Sequence, residues 1–307
     1  MMAMASPRTE LSRDEIKFIN DAAQYLENPT FLMQLANLVG VPLEMVLKGI
    51  DKIAPDMVDE AVRNALNSAL KVAVYTIPSR ANDSAIVIPE NINDVGANVG
   101  FWHKVAVAGT GAGGGLLGIG GLAAELPTTT TIMFRSIASI AQEFGEDLAD
   151  TSVRLQCLTV LTMGGPNPSD EAMECTYLEA RVGLQAVLSK AATAVAGLAA
   201  EELATMIQKG TAPAVVAFIA RVASQFGVTV TQKLVFQLLP VVGALGGATI
   251  NVAFMDHFNT VARFHFGISS LERKYGQDHI HSIYRQTAIA NKLKPKALGP
   301  ALGSTSG

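Results

Sequence analysis

A few polar side chains interrupt two long apolar stretches of this sequence, and they could bind a ligand or one another. Glu125 is the only charged residue between Lys104 and Arg135. A carboxylate in apolar surroundings must pair with a cation, take up a proton or bind a ligand, because burying an unpaired charge is costly. If a helix begins near Pro127, Thr128 and Arg135 lie on one face of it. This group indicates either a buried ion pair or a polar pocket for a headgroup or metabolite.

A second polar group follows the second apolar stretch. Asp256 and Arg263 are seven residues apart in the sequence and therefore share a helical face. One interpretation pairs Glu125 with Arg135 or with Arg263 in the core. Because each unpaired group would be costly to bury, we expect the two groups to meet. The predicted pocket or network consists of Glu125, Thr128, Arg135, Asn251, Asp256 and Arg263.

Two histidines near Asp256 raise the possibility of a metal site. His257 and His265 are eight residues apart, which is not the spacing of the HExxH zinc motif. We therefore expect no metal and no other cofactor, with Asp256, His257 and His265 as the weak candidates for ligands. The alternative to a binding protein is an enzyme. It would be a soluble hydrolase or a metal-dependent enzyme with a site assembled around Glu125, Asp256 and His257.

The glycines at 109, 111 and 114 match the dinucleotide-binding pattern GxGxxG. That pattern binds a nucleotide only in a strand-turn-helix unit with an acidic residue about 20 positions further on. The next acid, Glu125, comes too early, and Pro127 follows it. We therefore expect these glycines to serve close helix packing or membrane insertion. The sequence also has no GxSxG motif, and we predict no catalytic residues.

Two charge-free segments, 105–124 and 234–255, dominate the middle of the chain. Each is long enough to span a bilayer. Both are rich in small residues, and the second contains Pro240 and Asn251, which favours buried core helices over membrane-inserting hairpins. We expect the two segments to pack together, adjacent and antiparallel, at the centre of the fold.

Helix signals predominate along the whole sequence. Ser12 and Glu15 form a capping box, and Pro42 and Pro55 each mark the first turn of a helix. A long helical stretch starts near Ser169, and we expect Pro213 and Gly227 to break it into shorter pieces. The predicted fold is an all-α multi-helix bundle of roughly 12 to 14 helices. We divide the chain into a helical module with its linker (1–90), a helical domain (91–292) and a disordered tail (293–307).

Composition excludes some classes of partner and indicates a compartment. The sequence is 49% hydrophobic and 16% charged, with a net charge of -4 and no run of basic residues, so we expect no nucleic-acid partner. Cys157 and Cys175, the only cysteines, suit a reducing compartment. Because the N-terminal charges are not followed by an apolar signal region, we expect a cytoplasmic protein.

Several motifs in order resemble the EcsC family over about 95–280. A glycine-rich segment leads into an acid-hydrophobic-proline motif and a helix with the pattern RxIxxIAxx[FY]GxD, followed much later by PxVGAxxGAxxN. The first set falls on Glu125, Pro127, Arg135, Ile137, Ile140, Ala141, Phe144, Gly145 and Asp147. The second falls on Pro240, Val242, Gly243, Ala244, Gly247, Ala248 and Asn251. The family pattern has an aspartate where Glu125 stands.

The resemblance to this family implies no catalytic residues. The family takes its name from a protein encoded beside a bacterial ABC transporter, which implies a membrane protein such as a transporter as a partner. Together with the apolar composition, this leads us to expect a membrane-associated protein that binds lipid or a partner. Its expected location is cytoplasmic and peripheral, at the inner face of the membrane.

Overall fold

The computed structural model describes residues 10–27, 30–50, 53, 55–76, 92, 122–163, 175–196, 198, 202, 205, 206, 209–238 and 246–293. All regular structure in these ranges is helical, which confirms the all-α prediction. The ten α-helices are α1 (Arg13–Leu26), α2 (Thr30–Val39), α3 (Leu43–Ile50), α4 (Pro55–Thr76), α5 (Leu122–Glu143), α6 (Thr151–Thr159), α7 (Thr176–Val195), α8 (Pro213–Leu238), α9 (Gly246–Tyr275) and α10 (Gln277–Leu293). A 3-10 turn, Val160–Thr162, extends α6.

Several predictions concern residues outside the described ranges. The GxGxxG glycines and nearly all of the first charge-free segment lie outside the described residues, as do the second segment between 239 and 245, most of the linker and the tail beyond 293. The predicted pairing of the two charge-free segments is therefore outside the described part of the chain.

Local signals fix the helix starts where their partners are close in sequence. At the start of α1, the Ser12 hydroxyl accepts from the Glu15 amide at 3.2 Å, and the Ser12 amide donates to the Glu15 carboxylate at 2.7 Å. These two bonds form the predicted capping box and satisfy amides that a helix leaves unpaired.

Two helix boundaries differ from the prediction. Helix α5 begins at Leu122, so Pro127 lies inside it instead of starting it. A helix boundary lies at Pro213, where a break was predicted, but the helix that begins there, α8, continues through Gly227 to Leu238. Burial of Phe226 and Val230 on both sides of this glycine compensates for its weak helix propensity, since tertiary packing commonly overrides propensity.

Helices α5 and α9 run in the same direction through the core. At one end, Lys233 of α8 contacts both Glu125 in the first turn of α5 and Phe254 in the first half of α9. At the other end, Arg273 of α9 donates to the carbonyl of Phe144 at 2.7 Å, immediately after α5. Helix α5 ends two residues before Gly145, and α9 ends directly before Gly276. Both glycines have positive φ, as is usual just after helix C-termini.

The N-terminal helices share this core with the rest of the chain. Helix α4 packs most extensively against α5 and also contacts α8, while α1 packs against α10. Phe18 and Leu70 belong to the same buried hydrophobic cluster as Phe134 and Phe258. The polar groups described next are therefore held between helices from both halves of the chain.

Candidate functional site

A buried ion pair lies where α5, α8 and α9 meet. Lys233 Nζ is 2.7 Å from Glu125 Oε1, and the side chains are 0% and 5% exposed. Lys233 Nζ also lies 5.2 Å from the centroid of the Phe254 ring, within the range of a cation–π contact. The first turn of α5 positions the carboxylate, and the second half of α8 positions the ammonium group.

Burial dominates the electrostatics of this pair. Removal from water lowers the pKa of Lys233, while the charge and hydrogen bond of Glu125 act in the opposite direction. Each charge compensates the other in the core, so removing either partner leaves an uncompensated group. Both side chains are buried, so the Glu125 carboxylate is paired inside the bundle and is not presented to solvent.

The partner of Glu125 is therefore Lys233, and neither of the two predicted pairs is the one observed. Thr128 and Arg135 do share a face of α5, as predicted, but that face is exposed. The face they occupy points to solvent because the opposite side of α5 packs on α4 and α9. Neither side chain contributes to a buried network.

The remaining predicted residues lie on α9. Asn251 is fully buried and precedes Phe254 by one helical turn, which places it on the side of α9 that holds the ion pair. Asp256 is half-buried. The Arg263 guanidinium lies 5.8 Å from the ring centroids of both Phe18 and Phe264. The structure thus places Asn251 on the side of α9 that carries Phe254, and Arg263 near the rings of Phe18 and Phe264.

Lys233 was not predicted as a site residue, although its spacing from apolar residues of the same helix indicates an inward-facing position. It follows Phe226 by seven residues and Val230 by three, so all three share one face of α8. Phe226 and Val230 are apolar and buried. A lysine on the inward face of a helix requires an acid opposite it, and Glu125 is the acid that the other apolar stretch provides.

The two histidines of α9 make separate contacts with tyrosines. His257 Nδ1 lies 3.0 Å from the hydroxyl of Tyr25, and His265 Nδ1 lies 3.1 Å from the hydroxyl of Tyr177. Among the residues that the structure describes, no group of three or more His, Cys, Asp or Glu side chains is arranged to hold a metal. The predicted weak ligands Asp256, His257 and His265 thus form no such group.

A second polar network, which the sequence did not suggest, centres on Glu27 after α1. Its carboxylate accepts from the backbone amides of Thr176 and Tyr177 at 2.8 and 3.2 Å, and from the hydroxyl of Tyr284 at 3.2 Å. A carboxylate at a helix N-terminus satisfies unpaired amides and complements the helix dipole. Glu27 thus caps α7 from a distant part of the chain.

The same network continues along the contact of α7 with α9. Arg181 donates to both carboxylate oxygens of Glu272, at 2.6 and 2.9 Å. His281 Nε2 lies 2.8 Å from the same carboxylate. Burial, together with the nearby charge of Arg181, holds the pKa of His265 well below its ordinary value. These contacts fix the first turns of α7 against α9 and α10.

Both cysteines are buried thiols. Burial raises the pKa of Cys175 to about 12, with the Glu27 carboxylate adding to the effect, and burial also raises the pKa of Cys157. Since the thiolate is the nucleophile and the metal ligand, neither side chain is poised for either role.

One described helix, α8, is long and apolar enough to cross a membrane by length and composition. It overlaps the predicted charge-free segment 234–255 only in its last turns. Lys233 and Arg221 both lie on this helix, and Lys233 is paired inside the bundle.

Comparison with known proteins identifies the family. The model of the EcsC protein family matches residues 24–268. This range begins well before the resemblance recognised in the sequence, which started near residue 95, and it includes α2 to α4. No curated protein and no solved structure matches the chain. Since the family match covers most of the sequence, the chain belongs to the EcsC protein family.

Proposed function

We propose that this EcsC family protein associates with the cytoplasmic face of a membrane, where it binds lipid or a membrane-protein partner. The observation that carries the proposal is a concentration of exposed apolar side chains on the N-terminal helices. Six of the twelve exposed large hydrophobic side chains of the described residues fall between positions 33 and 57: Met33, Leu38, Leu43, Met45, Leu47 and Met57.

Helix α2 has apolar side chains on both its inner and outer sides. Phe31 and Leu35 are buried in the core, whereas Met33 and Leu38 are 48% and 53% exposed. The helix contains no charged residue. Asn37 is exposed on the outer side as well, but large apolar side chains left exposed on a helix whose inner side is already packed favour contact with an apolar partner.

The polar groups of the core favour a binding role over the enzymatic alternative. Glu125 is engaged by Lys233, and His257 by Tyr25. Both groups therefore have structural partners. A hydrolytic or metal-dependent site around Glu125, Asp256 and His257 would first have to break these contacts.

The Glu125–Lys233 pair also favours peripheral association over insertion of α8. If α8 left the bundle for a bilayer, the Glu125–Lys233 pair would be broken and Glu125 would lose its partner in the core, which is costly. Contact through the outer surface of the bundle requires no such loss.

Vesicle flotation of the full chain tests the proposal. We expect the protein to float with phosphatidylcholine vesicles or with vesicles that also contain phosphatidylglycerol, and to sediment in part with membranes after cell fractionation. If the protein remains at the bottom of the gradient with both kinds of vesicle and stays wholly in the soluble fraction of cells, membrane association is wrong.

A further inference from the structure

We infer that the first half of α7 is an acid-sensitive latch: a proton taken up by His265 detaches it from α9 and α10. The latch lies inside the bundle and does not depend on the proposed function. Three features of the structure support it, namely the polar contacts that hold α7, the burial of His265 among them and the small number of other buried side chains on α7.

Polar side chains hold the first half of α7 to α9 and α10. The Tyr177 hydroxyl lies 3.1 Å from Nδ1 of His265 in α9. Arg181 donates to both carboxylate oxygens of Glu272 in α9, and Nε2 of His281 in α10 lies 2.8 Å from the same carboxylate. A change in the charge of one member therefore alters the contact between all three helices.

His265 is placed so that only its neutral ring is satisfied. The residue is 2% exposed, and its Nε2 is buried without a hydrogen-bond partner among the described residues. In the neutral ring, Tyr177 satisfies Nδ1 whichever of the two atoms donates. A protonated ring donates from both nitrogens, so the Nε2 hydrogen and the positive charge would both be buried without compensation.

The charges beside His265 also oppose a second positive charge. Arg181 stays protonated at any ordinary pH, and its guanidinium carbon lies 5.5 Å from the centroid of the Tyr177 ring. The Glu272 carboxylate that Arg181 binds also contacts His281, so both of its oxygens are engaged. Burial and the charge of Arg181 accordingly hold the pKa of His265 well below its ordinary value.

Within the described residues, the other titratable groups around α9 supply no counter-charge to His265. Tyr284 of α10 donates to Glu27 at 3.2 Å, and that carboxylate caps α7. The 3-10 turn that packs on α9 contains no titratable residue, and α2 contains no charged one. The remaining groups lie elsewhere: Glu125 and Lys233 beside Phe254, Tyr25 beside His257, Glu15 beside Lys274, and the solvent-facing charges of α1, α5, α8 and α10.

Few buried side chains hold α7 apart from these polar contacts. Five of its 20 residues are buried, compared with 13 of the 26 residues of α8. Elements with few buried contacts open locally at a lower free energy than the core. The first half of α7 can therefore open while the rest of the bundle stays folded.

Opening of α7 should increase as the pH falls below about 6.5, the ordinary pKa of an accessible histidine. The closed arrangement keeps His265 neutral, whereas the open one lets it take up a proton. Each pH unit below 6.5 then multiplies the opening equilibrium constant by up to about tenfold. Between pH 7.5 and pH 5.0 the increase amounts to about 30-fold.

Hydrogen exchange of the full chain at pH 7.5 and pH 5.0, without lipid, tests the latch. Protection factors, which are corrected for the pH dependence of free-amide exchange, are compared for the wild type, H265Q and the matched control H257Q. His257 lies on the same helix and also contacts a tyrosine, Tyr25 of α1, but it does not touch α7. Circular dichroism verifies that both variants remain helical.

Protection of residues 176–186 should fall about 30-fold more in the wild type than in H265Q when the pH is lowered. H257Q should respond like the wild type. These amides should also exchange with less protection and a weaker dependence on urea than those of α5, because they open without global unfolding.

Three results would overturn the latch. The first is an equal loss of protection at acid pH in the wild type and H265Q. The second is exchange of residues 176–186 only together with α5 and with the same urea dependence, which would mean global unfolding. The third does not require a folded variant: a ring NMR titration of the wild type that shows His265 protonated near pH 6.5 while α7 stays protected.

Discussion

Lys233 Nζ and Glu125 Oε1 lie 2.7 Å apart in the interior, and their residues are 108 positions apart in the sequence. This contact joins the second half of α8 to the first turn of α5. It accounts for both isolated charges in otherwise apolar helical surroundings, because each compensates the other. The pair therefore ties together three helices of the family-matched region, α5, α8 and, through the Phe254 ring, α9.

Glu125→Gln should lower the free energy of unfolding by about 3 to 5 kcal/mol, the range for leaving one charge of a buried pair without its partner. Lys233→Met should have a similar effect. The double variant with Glu125→Leu and Lys233→Met removes both charges and should recover much of the loss. Urea denaturation of the four proteins measures these differences.

Arg135→Ala is the matched control for the ion pair, because Arg135 lies on the same helix but is exposed. We expect it to change stability by less than about 0.5 kcal/mol. Equal effects of Glu125→Gln and Arg135→Ala would contradict a special role for the buried pair.

Gly267→Ala should destabilise the bundle. An added Cβ at this position of α9 would overlap with the Phe18 ring and lie 3.4 Å from Cε1 of Phe144. Overpacking of this kind typically costs about 1 to 3 kcal/mol. Phe18→Leu in the same chain should recover part of the loss, which thermal denaturation measures.

Gly183→Ala is the comparison for Gly267. Gly183 also lies inside a helix, α7, but a Cβ there would meet nothing within 4 Å. Because alanine has the higher helix propensity, this change should stabilise the protein by up to about 1 kcal/mol. A loss of stability at both glycines would mean that the α1–α9 contact is not what makes Gly267 sensitive.

Glu27→Ala should loosen the start of α7, since the backbone amides of Thr176 and Tyr177 lose their acceptor. Leaving buried donors unsatisfied costs about 1 to 3 kcal/mol. Glu60→Ala, at an exposed position of α4, should be nearly neutral. Denaturation together with hydrogen exchange of residues 175–196 distinguishes local loosening of α7 from a uniform change; exchange that stays as slow as in the wild type would contradict the capping role.

Acid should destabilise the protein in part through His265. The pKa of this buried histidine is well below its ordinary value of 6.5, so the folded state keeps the ring neutral while the unfolded state takes up a proton. Stability from this group is present above about pH 6.5 and is lost as the pH falls below it, by at most about 1.4 kcal/mol per pH unit.

The comparison of wild type with His265→Gln isolates this contribution. Melting temperatures measured between about pH 5 and pH 8 should fall less steeply toward acid for the variant, because glutamine does not titrate in that range. Parallel curves for the two proteins would show that His265 does not contribute to the acid sensitivity.

Short-range features of this fold could be predicted from the sequence, because their physical causes are local. The Ser12–Glu15 capping box involves two residues three positions apart, and the break expected at Pro213 is the boundary at which α8 begins. The common face of Thr128 and Arg135 also follows from helix geometry alone. Its orientation toward solvent depends on how α5 packs against α4 and α9, which no local pattern specifies.

Long-range pairing could not be predicted in the same way. Periodicity places Lys233 on the inward side of α8, but it does not choose among the acids of the chain. The contacts of Glu27 are even harder to predict from the sequence. It lies at the end of α1, and its role depends on amides near residue 176 that only the tertiary fold brings within reach.

Hydrogen exchange of the wild-type protein with and without phosphatidylcholine vesicles tests membrane association through α2 and α3 most directly. We predict slower amide exchange in residues 30–50 when vesicles are present, because contact with lipid suppresses local opening of these peripheral helices. Exchange in α5, whose inner side packs against α4 and α9, should not change. Unchanged exchange in 30–50 while the protein is bound to vesicles, or slowing confined to other helices, would contradict membrane contact through α2 and α3.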